Sequence, residues 1–127
     1  MNTMEKKILI VEDELDIREA MTEAITQAGF SVTTAPNGAE GLSLALAEHP
    51  DLILLDIVMP IMDGHTFLDK LRNDHWGKDA KVIMLTSMDD VKNIANAHEG
   101  TIADYIIKAH SSLEEIVRKV RQTAYSS

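Results

Sequence analysis

The chain of 127 residues has no cysteine, which excludes disulfides, thiol catalysis and thiolate metal sites. It also has no apolar run near the roughly 20 residues that span a bilayer. The N-terminal residues Met1 to Lys7 lack a secretory h-region, because the apolar run behind them is only Ile8 to Val11. Basic residues are scarce, 12 against 21 acidic, and the net charge of −9 disfavours direct binding to nucleic acid or an anionic membrane. The five histidines show no His-x-x-x-His metal spacing. No internal repeat, low-complexity linker or second core-sized segment is visible, so residues 1–127 are expected to be one cytoplasmic domain.

What remains is a regular alternation. Ile8 to Val11, Phe30 to Thr34, Leu52 to Leu55, Lys81 to Leu85 and Ala103 to Ile107 are short β-rich runs. Between them lie helical spacings. Ile17, Met21 and Ile25 form a stripe that stops at Gly29, and Leu42, Ala45 and Leu46 form one that ends near His49-Pro50. Phe67, Leu68 and Leu71 follow, then a thin fourth stripe of Val91, Ile94 and Ala95. The last helix carries Leu113, Ile116, Val117, Val120 and Ala124. Capping boxes are read at Asn37/Glu40 and Ser87/Asp90, and Ser111 or Ser112 is expected to cap the last helix. Trp76 reads as a local packing anchor, and the seven methionines as scattered core filler. Five strands alternating with helices predict an α/β fold. The expected form is a doubly wound five-stranded parallel sheet, flavodoxin-like, in order 2-1-3-4-5 with helices on both faces.

In such a sheet the strand ends share one edge. Strand one ends in Glu12-Asp13, strand three in Asp56, strand four in Thr86 and strand five in Lys108. Taken singly, each aspartate reads as a helix cap, Thr86 as a strand-end hydroxyl and Lys108 as a solvated cation. Together they form a set. Clustered carboxylates repel one another unless a cation is present, and Mg²⁺ suits a few carboxylates with water and phosphate oxygens. A carboxylate can also take a phosphoryl group, and an ammonium and a hydroxyl then stabilise its oxygens.

The runs Ile8 to Glu14, Leu54 to Gly64, Leu85 to Ser87 and Asp104 to Lys108 resemble, in order and spacing, the receiver domains of bacterial two-component response regulators. The resemblance covers essentially the whole chain. It implies that Asp56 is the phosphoacceptor, served by a sensor histidine kinase or phosphotransfer protein. Mg²⁺ would be held by Glu12, Asp13, Asp56 and the Val58 backbone carbonyl. Lys108 would pair with Asp56 or its phosphate, Thr86 would bond the phosphate, and Tyr105 would act as the switch aromatic. Output would pass through the face of the fourth helix, fifth strand and last helix, to a partner or in a homodimer. The protein would be a regulatory switch and not an enzyme, either stand-alone or a piece of a longer chain.

The sequence departs from the family pattern in three places. Ala109 stands where the family has proline, predicting either a trans peptide in a reshaped loop or a strained cis bond. Val58 and Met88 stand where polar residues are common, so the acyl phosphate's lifetime is expected to differ. Other classes fit less well. A haloacid dehalogenase-like phosphatase needs a second acid where Val58 stands, and a flavodoxin-like carrier needs a phosphate cradle where Glu12-Asp13 would repel one. A receiver-like scaffold that is never phosphorylated is the remaining alternative.

Overall fold

The apolar runs form five strands: β1 (Lys7–Val11), β2 (Ser31–Ala35), β3 (Leu52–Asp56), β4 (Val82–Thr86) and β5 (Asp104–Ile107). The computed structural model describes residues 5–87 and 101–126. The expected fourth helix, with its Asp90 cap, and Met88 fall outside those residues. The described helices are α1 (Leu15–Gln27), α2 (Gly38–Glu48), α3 (Gly64–Arg72) and the last helix, here α4 (Leu113–Ala124). All four strand pairings are parallel, in the order β2-β1-β3-β4-β5 expected of a doubly wound sheet.

Helix boundaries follow local chemistry. Gly29, at φ 103°, turns the chain out of α1. Asn37 accepts from the Glu40 N–H at 2.9 Å and donates back to its carboxylate at 3.2 Å, completing the capping box of α2. Asp63 caps α3 through the Thr66 N–H at 2.8 Å. Of the two candidate serines, Ser112 caps α4, accepting from Glu115 N–H at 3.1 Å.

Alternation along each strand splits the core in two. Leu9, Val11, Ile53, Leu55, Val82 and Met84 pack with Phe67, Leu68 and Leu71 of α3 on one face. Ile8, Ile10, Leu54 and Leu85 pack with Met21, Ile25, Ile116 and Val120 of α1 and α4 on the other. The structure corrects three residues of the sequence reading. Leu46 and Leu113, assigned to buried stripes, are exposed: Leu46 lies at the edge of its helix's apolar arc, and Leu113 is the first residue of its helix. Phe30 is buried but precedes β2, its N–H bonding back to the Ile25 carbonyl at 3.4 Å.

Trp76 packs locally as expected, stacked on His49 with ring centroids 4.3 Å apart and planes 8° from parallel. The stack borders a cleft with Lys6, Pro50, Asp51 and Lys81, at the sheet edge where the strands begin.

Candidate functional site

At the opposite edge, where the strands end, the predicted side chains come together. Asp56 is the last residue of β3, and Glu12 follows β1, held by its N–H to the Ala35 carbonyl at 3.1 Å. Ligand oxygens of Glu12, Asp13 and Asp56 all lie within 4.8 Å of one another. Glu12 and Asp56 are buried, whereas Asp13 is exposed. Lys108, directly after β5, reaches into this group: its Nζ lies 3.0 Å from Glu12 Oε1, 3.4 Å from Asp56 Oδ2 and 3.7 Å from Glu14 Oε1.

The loop after β3 is shaped around Asp56. Asp56 Oδ1 accepts from the Ile57 N–H at 2.8 Å, and the Gly64 N–H closes the loop onto the Ile57 carbonyl at 2.8 Å. A Cβ at Gly64 would sit 2.6 Å from the Asp56 carbonyl oxygen, so glycine is required for α3 to start against this strand end. Met62 N–H bonds the Pro60 carbonyl at 2.7 Å across Ile61, whose φ of 71° makes a γ-turn that is strained for a β-branched residue. Val58 is 73% and Ile61 80% exposed beside the acid group.

Burial and the neighbouring Glu12 charge raise the Asp56 pKa from the ordinary 3.8 to about 7, although Lys108 and the Ile57 N–H pull the other way. Glu12 Oε2 accepts from the Glu14 N–H at 3.1 Å. Its Oε1 is buried with no hydrogen-bond partner among the described residues, since Lys108 stands beside it as an ion-pair partner without hydrogen-bond geometry. A buried, under-bonded carboxylate oxygen facing two further carboxylates fits a hard divalent cation. Interaction with Glu12, Asp56 and Glu14 raises the Lys108 pKa against an opposing effect of burial, so the ammonium stays charged.

Thr86 is buried at the end of β4, but its hydroxyl donates to the Ser87 carbonyl at 2.9 Å and not to the acid group. Tyr105 is half-buried on β5, its N–H bonding Asp104 Oδ1 at 2.8 Å and its carbonyl accepting from Lys119 Nζ at 3.2 Å. The Lys108–Ala109 peptide is trans and opens a short 3₁₀ turn, Lys108–His110. Two contributors were missed from the sequence. Glu14 was visible only as a third acid in Glu12-Asp13-Glu14, and Arg18, whose Nη1 donates to the Glu12 carbonyl at 2.8 Å, gave no signal.

Comparison with known proteins places this geometry. The family model for the response regulator receiver domain matches residues 8–121. A probable transcriptional regulator, ycf27, of Cyanophora paradoxa is 37% identical over 114 residues, covering 90% of this chain and 46% of that protein. The chain thus spans about half the length of such curated relatives. The receiver domain of the Francisella response regulator 1452 superposes with a TM-score of 0.84 at 27% identity, covering 94% of this chain and 96% of that one. The receiver domain of the Pseudomonas aeruginosa sensor kinase PA1611, solved with magnesium in its active-site cleft, has the same fold (TM-score 0.85, 23% identity, covering 96% and 99%). With the match running through every strand that carries an acid, hydroxyl or lysine at its end, the chain belongs to the response regulator receiver domain family of two-component systems.

Proposed function

We propose that residues 1–127 act as a receiver unit in which Asp56 accepts a phosphoryl group from a phosphohistidine on a histidine kinase or phosphotransfer protein. The observation that carries this is the group of three carboxylates within 4.8 Å, with the Lys108 ammonium against two of them. In the transfer, an Asp56 carboxylate oxygen forms the new P–O bond while the P–N bond to the donor imidazole breaks, and that imidazole retains the electron pair. Glu12, Asp13, Asp56 and the Val58 backbone carbonyl would hold Mg²⁺, which when bound neutralises charge on the transferring oxygens. Without a cation, the raised pKa keeps a large share of Asp56 protonated near neutral pH and so a poor nucleophile. A counter-charge at the cluster restores the carboxylate, which couples reactivity to the metal.

Lys108 would remain with Asp56 and the phosphoryl oxygens as Glu12 turns to the cation. Thr86 would exchange its Ser87 bond for a phosphate oxygen, with Tyr105 turning inward behind it. The change would leave through the face of the expected fourth helix, β5 and the last helix, α4, to an output partner or a second copy. Its setting would be the cytoplasm; among the described residues, no helix is long and apolar enough to cross a membrane.

The test is incubation with acetyl phosphate and Mg²⁺, followed by intact mass and hydroxylamine sensitivity, with Asp56→Asn as control. A hydroxylamine-labile adduct absent from the variant is expected. An unmodified wild-type protein that nonetheless binds Mg²⁺ would overturn the phosphoacceptor role and leave an interaction scaffold.

A further inference from the structure

Arg72 ends α3 at the sheet edge remote from Asp56, and among the described residues its guanidinium hydrogen-bonds backbone carbonyls only. Nη1 donates to the carbonyls of Gly77 at 2.8 Å, Ala80 at 2.7 Å and, more distantly, Lys78 at 3.4 Å. Nη2 donates to the Thr101 carbonyl, while Nε is buried without a hydrogen-bond partner among the described residues. Burial lowers its pKa, with Asp79 offsetting part, and among the described residues no carboxylate pairs with it. A half-buried charge with one nitrogen unsatisfied costs stability, and a lysine could not make the same planar fork.

The carbonyls it joins explain why the fork sits there. Ala80 leads into β4 and Thr101 leads into β5, so one rigid group bridges the starts of two neighbouring strands. The ladder and the Ala103 N–H to the Val82 carbonyl at 2.8 Å already join β5 to β4. Among the described residues, however, β5 is a four-residue strand that pairs with β4 alone and fully buries only Ile106, so an added bridge at its start bears on its stagger. Lys119 ties it to α4 through Asp104 at 3.1 Å, but that contact does not set its stagger against β4. A slip of one residue would move the strand about 3.3 Å along β4 and reverse its faces. Lys108 follows β5 directly, and contacts of 3.0 and 3.4 Å to Glu12 and Asp56 would not survive that displacement.

We propose that Arg72 is a positioning residue for the phosphoacceptor site, setting the stagger of β5 on β4 and through it the reach of Lys108 to Asp56. This rests on the phosphoacceptor reading of Asp56.

The experiment compares wild type, Arg72→Ala and Arg72→Lys in two ways. The first is amide hydrogen exchange across 104–108 in metal-free protein. The second is the rate of phosphoryl uptake from acetyl phosphate alongside Mg²⁺ affinity, each with and without millimolar methylguanidinium. Arg72→Ala is expected to exchange faster at 104–108 and take up phosphoryl about 10- to 100-fold more slowly, the scale for a reacting group displaced by about an ångström. Its Mg²⁺ affinity should change less than the rate, because the acids follow or end β1 and β3, and displacing the Lys108 ammonium removes both a competitor of the cation and a group that favours ionised Asp56. Methylguanidinium should recover part of the rate, and Arg72→Lys should be intermediate. A general loss of structure would instead weaken Mg²⁺ binding together with the rate and would not respond to methylguanidinium.

Wild-type exchange and uptake in folded Arg72→Ala would overturn the proposal. Should that variant not fold, unchanged exchange and uptake in Arg72→Lys would do the same. If wild type itself takes up no phosphoryl, the phosphoacceptor reading fails, and exchange at 104–108 still decides the role of Arg72.

Discussion

Replacing Asp56 by asparagine should stabilise the metal-free protein, and increasingly so as pH rises. Asp56 titrates near 3.8 in an unfolded chain and at about 7 in the folded one, raised by burial and by Glu12. Between those values the folded state holds a proton that the unfolded state has released, so stability falls as pH rises and the loss is complete above about 7. The full difference corresponds to about 4 kcal/mol. Asparagine mimics the protonated form, so Asp56→Asn should exceed wild type by about 2–4 kcal/mol at pH 8.5 and match it near pH 4. Urea unfolding in a chelator, at half-unit steps from pH 4 to 8.5, gives the difference curve directly. Saturating Mg²⁺ should raise wild type far more than the variant. Two stability curves that run parallel across the range would refute the buried, charge-strained carboxylate.

Three further outcomes follow from the same geometry. Mg²⁺ binding at pH 7 should release about half a proton per ion, because Asp56 is near its midpoint there and must ionise to act as a ligand; calorimetry in buffers of different ionisation enthalpy measures this. Gly64→Ala should cost about 1–3 kcal/mol in urea unfolding and weaken Mg²⁺ binding, since the new Cβ meets the Asp56 carbonyl oxygen at 2.6 Å. Asp63→Ala should cost about 1 kcal/mol at neutral pH, read as a lower thermal midpoint. The Thr66 N–H depresses the Asp63 pKa, so that cost should shrink as pH falls through the carboxylate range.

The sheet and the acid group were legible because a parallel sheet gathers strand ends, and each of β1, β3, β4 and β5 closes on a polar residue that its apolar run exposes. The Asn37 cap was equally plain and the Ser112 cap narrowed to two serines, since both act on N–H groups three positions away, whereas the Asp63 cap was not read. The sequence hid what depends on the backbone or on the angular edge of a helix. Arg72 is held by carbonyls, which every residue carries and no residue type announces. Leu46 has the hydrophobicity of a core residue but stands at the edge of its helix's apolar arc, and Leu113 keeps the core phase but opens its helix. Thr86 was found at the right strand end, but its bond to Ser87 depends on a rotamer that no spacing encodes.

The position of Trp76 has its own consequence for spectroscopy. The chain's single indole lies beyond the far end of α3, a helix of nine residues or about 14 Å that begins at the loop behind Asp56. Its emission should therefore respond little to a cation that merely settles among the carboxylates, which a Mg²⁺ titration read by fluorescence beside calorimetry checks. An emission change on phosphoryl uptake would instead register a shift delivered along the length of the sheet to the indole and the His49 ring stacked on it. The protein thus carries a distant reporter that separates occupancy from transmission.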